Sequence, residues 1–101
     1  MNRVTLSDGR WFDIDASRKW DEGTRWDGSN HISLATGSQW DHQTLYRTDG
    51  GAWVIHDTSQ WQGSWDTWDT IGDERAAEWL VRNEHGPHEA CADAYDGLEV
   101  R

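Results

Sequence analysis

Three tryptophans, at positions 61, 65 and 68, sit among Gln60, Gln62, Ser64, Asp66, Thr67 and Asp69. Flat indole faces beside amide, hydroxyl and carboxylate groups make a surface that stacks on sugar rings or on an aromatic or peptide partner. In an extended chain Trp61 and Trp65 fall on one face and Trp68 on the other, so a common platform needs a bend, which Gly63 can supply. With an exposed Trp40, the expected ligand-binding set is Gln60, Trp61, Gln62, Trp65, Trp68 and Trp40. The competing expectation is that these rings close a core over a sheet and keep their N–H groups bonded at its rim.

Other chemistry-bearing residues give weaker patterns. Asp41, His42, His56 and Asp57 form an acid–base set if a sheet brings them together. No G-x-S-x-G elbow, phosphate-cradling glycine loop or H-E-x-x-H motif specifies a reaction, and no catalytic residue is assigned. His85, His88 and Cys91, with Glu84 beside them, have ligand types suited to zinc, and His88 and Cys91 meet at i and i+3 on a helix. Gly86-Pro87 interrupts the run and the spacing matches no finger, so it is a weak metal candidate and no cofactor is expected. The acidic groups around Asp21, Glu22 and Asp27, and around Asp66, Asp69 and Asp73, lack the alternating oxygen ligands of an EF-hand loop.

The elements that position these residues are punctuated by four Asp-Gly pairs, at Asp8, Asp27, Asp49 and Asp96. Asp49-Gly50-Gly51 separates residues 43–48 from residues 52–58, two runs rich in β-formers that read as a hairpin. Trp53 and Ile55 share one face of the second strand, Val54 and His56 the other, so that strand is expected to be central and covered on both sides. Residues 4–6 and 10–14 read as a second hairpin. Asp15 reads as the N-cap of a short helix that carries Ala16 and Trp20 and stops at Gly23 or Gly28. Residues 31–35 and 68–71 read as short strands. Residues 73–83 read as the main helix, with Asp73 and Glu74 at its positive end and an apolar stripe of Ala76, Ala77, Leu80 and Val81 flanked by Trp79. A last helical turn or two is expected over residues 88–95. The fold class is α+β: an antiparallel sheet of four or five strands, one main C-terminal helix on a face, and short helices at the margins.

At 101 residues the chain suits one domain, since domains commonly run to about 100–150 residues. Nine tryptophans supply a core that a hydrophobic content of 35% would otherwise leave thin. The formal charge is −10, with basic residues scattered singly apart from Arg18-Lys19, which disfavours direct nucleic-acid binding and docking on an anionic membrane. A basic protein partner fits this charge. From Glu84 to Val100 there are five acidic residues and no basic one, so residues 84–101 are expected to form an acidic cap or a loosely held tail. The single cysteine forms no internal disulfide, and there is no run of apolar residues long enough for a signal peptide or a membrane span. The expected localisation is cytoplasmic.

The order Asp-Gly, Trp, Asp-x-Ser, Trp, Gly, Trp-Asp occurs twice, from Asp8 to Asp27 and from Asp49 to Asp66. A worn duplication and a biased composition both account for it. Leu45-Tyr46-Arg47-Thr48, Gly51-Ala52-Trp53-Val54, Ser59-Gln60-Trp61-Gln62-Gly63 and Ala76-Ala77-Glu78-Trp79-Leu80-Val81-Arg82-Asn83-Glu84 follow Gly9-Arg10-Trp11-Phe12-Asp13 and Ala35-Thr36-Gly37-Ser38-Gln39-Trp40. Together they cover most of residues 6–84 and resemble a family of small, uncharacterised, Trp-rich bacterial proteins. The resemblance implies no assigned activity, cofactor or catalytic residue. The expected function is therefore a non-catalytic bacterial binding protein that uses the Trp surface, with an inhibitor-like complex with a basic protein as its sharper form. One alternative is a small hydrolase or carbohydrate-processing enzyme using Asp and His groups. Another is a structural subunit that self-associates into a homo-oligomer through a sheet edge or the Trp face.

Overall fold

The computed structural model describes residues 1–60 and 66–101. Among them the chain forms strands β1 (Arg3–Thr5), β2 (Trp11–Asp13), β3 (Arg18–Asp21), β4 (Thr24–Trp26), β5 (His31–Ser33), β6 (Asp41–Arg47), β7 (Trp53–Ser59) and β8 (Thr67–Ile71), then helices α1 (Asp73–Arg82) and α2 (Ala92–Asp96). All strand pairs are antiparallel. They make a four-stranded sheet in the order β3-β6-β7-β8 and two separate ribbons, β1-β2 and β4-β5. The α+β class holds, but the strands are divided among three sheets, and the main helix is not the C-terminal element. No helix among the described residues is long and apolar enough to cross a membrane.

The β6-β7 hairpin forms where its turn chemistry requires. Gly51 sits at φ 90, a region that costs glycine little, and Ala52 N–H donates to Thr48 Oγ1 at 2.9 Å. Its register pairs Leu45 with Ile55 and Tyr46 with Val54. Because side chains alternate between faces, each strand feeds two cores. Leu45, Trp53 and Ile55 join Trp20 beneath α1, with Ala76, Ala77, Trp79 and Leu80. Tyr46 and Val54 face the other way and are covered by Leu6 and Phe12 of the β1-β2 region. β7 is thus central and buried on both sides, with Trp53 at 2% and Val54 at 0% exposure.

The expected helix after Asp15 is absent. Asp13, rather than Asp15, is the cap: its Oδ1 accepts from Asp15 N at 3.1 Å and closes a single 3-10 turn, Ile14–Ala16. Residues 18–21 then become edge strand β3, because pairing Trp20 opposite Leu45 buries the indole in a sheet that local propensity could not foresee. This difference also argues against the duplication: Asp57 and Ser59 of the second copy lie in a continuous seven-residue strand, whereas Asp15 lies within a 3-10 turn and Ser17 caps its end.

Helix α1 buries Ala76, Ala77, Trp79 and Leu80, while Val81 stays 42% exposed. Trp79 thus belongs to the stripe and Val81 does not, since at 100° per residue Val81 lies with Glu74 and Glu78. The helix ends before Gly86-Pro87 in a Schellman arrangement, in which Glu84 N–H donates to Val81 O at 3.2 Å and His85 N–H to Leu80 O at 2.9 Å. Glu84 adopts φ 64, which disfavours a residue carrying a Cβ. Glu84→Gly is therefore expected to raise the unfolding free energy by about 1 kcal/mol, read as a higher urea midpoint with an unchanged m-value; an unchanged or lower midpoint would refute this account of the helix end.

In the acidic C-terminal segment, Ala90, Ala94 and Tyr95 pack against the main core. Cys91 is a free, buried thiol. The His88 ring stands edge-on to Trp20 and Trp53 at 5.8 and 5.3 Å, and Tyr95 OH donates to His85 O at 2.7 Å.

Candidate functional site

The densest set of polar side chains lies where β6 begins. Glu22, just past the end of β3, accepts at Oε1 from Gln43 N–H at 2.7 Å and from Ser33 Oγ at 2.8 Å. Its Oε2 lies 2.6 Å from His42 Nδ1. Gln43 then links sheet to helix: its Nε2 donates to Asp57 Oδ2 at 3.0 Å, and its Oε1 accepts from Trp79 Nε1 at 3.1 Å. At the other end of α1, Trp53 Nε1 donates to Asp73 Oδ1 at 2.8 Å. Asn83 completes the frame, accepting from Gly23 N–H at 3.0 Å and donating to Trp79 O at 2.8 Å. Gly23 packs closely there: a Cβ would lie 2.7 Å from Leu34 Cδ1 and 3.1 Å from Asn83 O, so a larger residue would require the Leu34 side chain and the end of α1 to give way.

This network is structural in its chemistry. Among the described residues no buried side-chain nitrogen or oxygen is left without a partner. The adjoining cleft between α1 and the sheet, lined by Gln43, Ile55, Ile71, Arg75, Trp79 and Arg82, holds about 110 Å³. Typical small-molecule sites hold about 300–1,000 Å³.

The acid–base set does not assemble. Asp57 pairs across the sheet with Gln43 on the α1 side, whereas His56 lies on the opposite face, stacked on Trp68 at 3.5 Å and 7° with Nε2 2.9 Å from Asp66 Oδ2. His42 turns to Glu22 instead. Alternation along the strands separates neighbours that look adjacent in sequence. The weak metal candidate is also dispersed. His85 Nε2 lies 2.6 Å from Asp21 O, His88 Nδ1 accepts from Ala90 N–H, and Cys91 is buried. No three His, Cys, Asp or Glu side chains among the described residues form a metal-binding group.

Of the expected ligand-binding set, Trp61, Gln62 and Trp65 lie outside the described residues. Trp68 packs at 5.8 Å from Phe12 and 5.7 Å from Tyr46, so it closes the second core. Gln60 is exposed and its N–H donates to Trp40 O at 3.0 Å, which places Gln60 beside Trp40, itself 39% exposed. The more exposed described rings are Trp26 at 60% and Trp11 at 51%, neither in the expected set. Trp26 stands on the β4-β5 ribbon against His31, and Trp11 lies under the Arg3 guanidinium.

Several titrations are shaped by local bonds. The Arg10 guanidinium holds the Asp8 carboxyl below its usual range, the Asn2 amide does the same for Asp13, and the Asn30 and Ser29 amides do so for Asp27. Burial pushes the Tyr46 phenol up.

Sequence reasoning missed one surface. Val81 of α1 and Leu98 beyond α2, 42% and 41% exposed, border hollows of about 240 and 210 Å³ together with Tyr95 and Ala94. Glu74, Glu78, Asp96 and Glu99 ring them. The sequence signals were the acidic run after Glu84 and a valine one step off the buried stripe. The fold and its bonds define a small α+β domain whose interior polar groups, Glu22 and Asp57 among them, join the main sheet, α1 and the β4-β5 ribbon. No protein-family model, curated protein or solved structure matches the chain.

Proposed function

We propose that this chain is a non-catalytic, cytoplasmic bacterial binding protein whose partner is a basic protein. The observation that carries this reading is a set of exposed carboxylates without cations: among the described residues, Glu74, Glu78, Glu89, Asp93 and Asp96 form no ion pair. With a formal charge of −10 they create a field that steers cationic partners and repels nucleic acid. The polar network around Glu22 and Gln43 supports the non-catalytic part, since its groups hold one another. Edge-to-edge self-association is disfavoured. Ser7 N–H already bonds Trp68 O at one edge of the main sheet, and Lys19 and Asp21 lie exposed along β3 at the other. Membership of the Trp-rich bacterial family would add no activity to this reading.

The test is binding to an immobilised lysine-rich protein at increasing NaCl. Affinity is expected to fall steeply as the screening length contracts from about 10 Å at 0.1 M to about 3 Å at 1 M. Binding that ignores salt, or no binding at low salt, counts against the proposal.

A further inference from the structure

We infer that the groove between α1 and the C-terminal segment docks a basic amphipathic helix of the partner; this rests on the preceding reading and assigns it a site. The floor is apolar, formed by Val81, Ala94, Tyr95 and Leu98, and two adjoining hollows of about 240 and 210 Å³ share Leu98. It is preformed: Leu98 N–H donates to Tyr95 O at 3.1 Å and Glu99 N–H to Asp96 O at 3.2 Å, so the turn carrying Leu98 is already fixed. Glu74 and Glu78, one helical turn apart, border one hollow, and Asp96 and Glu99 border the other.

Charge complementarity selects the occupant. Neither α1 arginine lines the two hollows: Arg75 and Arg82 line the sheet-side cleft, which Glu78 also borders, and neither pairs with Glu74 or Glu78. The cation recorded at the rim is Arg101, 3.6 Å from Glu99, with both side chains largely in water, where such a pair holds weakly. A second copy of this chain would bring the same carboxylates against themselves, and a nucleic acid or an anionic membrane would be repelled. The groove walls are helices and a turn rather than a strand, so an added strand finds no sheet edge to pair with. An incoming helix instead lays aliphatic residues at i, i+3 and i+4 on the floor and turns lysine or arginine toward the rim.

The test uses the full chain and a fluorescent synthetic peptide of about 14 residues, long enough for a few helical turns, with leucine on one face and lysine on the other. Anisotropy titration is expected to show salt-sensitive binding. Leu98→Ser, which leaves the charge unchanged, and Glu78→Lys should each weaken it by about tenfold. Asp49→Lys makes the same charge change at the β6-β7 hairpin turn, which lines neither hollow, and should alter it by about twofold or less. All three positions are exposed, and unchanged far-UV circular dichroism will verify the fold. Equal weakening by Glu78→Lys and Asp49→Lys, or wild-type binding by Leu98→Ser, overturns the site while leaving a basic partner in place. A wild-type chain that binds the lysine-rich protein but not the peptide does the same. Failure to bind either ligand overturns the functional reading itself. Sedimentation that finds a dimer dispersed by Leu98→Ser assigns the groove to a second copy and overturns the inference.

Discussion

Trp53→Ala is expected to lower the free energy of unfolding by about 3–5 kcal/mol, the range for removing a large aromatic ring from a packed core. A domain of this kind holds about 5–15 kcal/mol in total, so the loss takes a large share of it. Trp53 is 2% exposed on the central strand, with Trp20 at 5.4 Å and the Arg47 guanidinium over the ring at 4.7 Å. It also supports the edge-on His88 ring, so its removal loosens the junction of sheet, α1 and C-terminal cap together. Trp53→Phe separates the causes: the ring largely stays and the indole bond to Asp73 goes, for a smaller loss of about 1–2 kcal/mol. Urea unfolding followed by far-UV circular dichroism measures both. An alanine variant within 1 kcal/mol of wild type, on the order of a typical surface substitution, would show that the indole does not hold this junction.

Glu22→Ala has the second largest expected effect. It removes the acceptor shared by Gln43 N–H and Ser33 Oγ and the partner of His42, and the Glu22 side chain is only 13% exposed. A half-buried donor left unpaired costs about 1–3 kcal/mol. Gln43 also holds Asp57 and the Trp79 indole, so the disturbance should reach α1. Glu22→Gln keeps one carbonyl acceptor and should lose less. Besides the denaturation midpoint, amide hydrogen exchange gives a local readout: the Gln43 N–H should exchange faster in Glu22→Ala, while the amides of Leu45 and Val54 should change only as far as global stability does. Unchanged Gln43 exchange would mean that this carboxylate is not a keystone of the β6 end.

Much of the fold was legible because its signals are local. Asp49-Gly50-Gly51 fixed a hairpin, the alternation through residues 53–56 identified a two-sided central strand, and the spacing of Ala76, Ala77 and Leu80 fixed α1. Edge strand β8 was legible for a similar reason, as a short β-prone run leading into a helix start. The strand at residues 18–21 was not, because its identity depends on Trp20 meeting Leu45 across the sheet, a contact between residues far apart in sequence. The candidate site was read less well. Indole-rich residues 60–69 drew attention by composition, yet Trp68 is held by Phe12, Tyr46 and His56, none of which is close to it in the chain.

The sequence by itself determined the charge, the β6-β7 turn, the main helix and the supply of aromatic mass, because each follows from residue type and short-range spacing. Only the tertiary structure decided which rings are enclosed, that neighbouring His56 and Asp57 face opposite sides of one sheet, and that Val81 and Leu98 meet over a ring of carboxylates. Those outcomes depend on which distant segments pack together, and burial is a property of the assembled neighbours rather than of the residue that is buried.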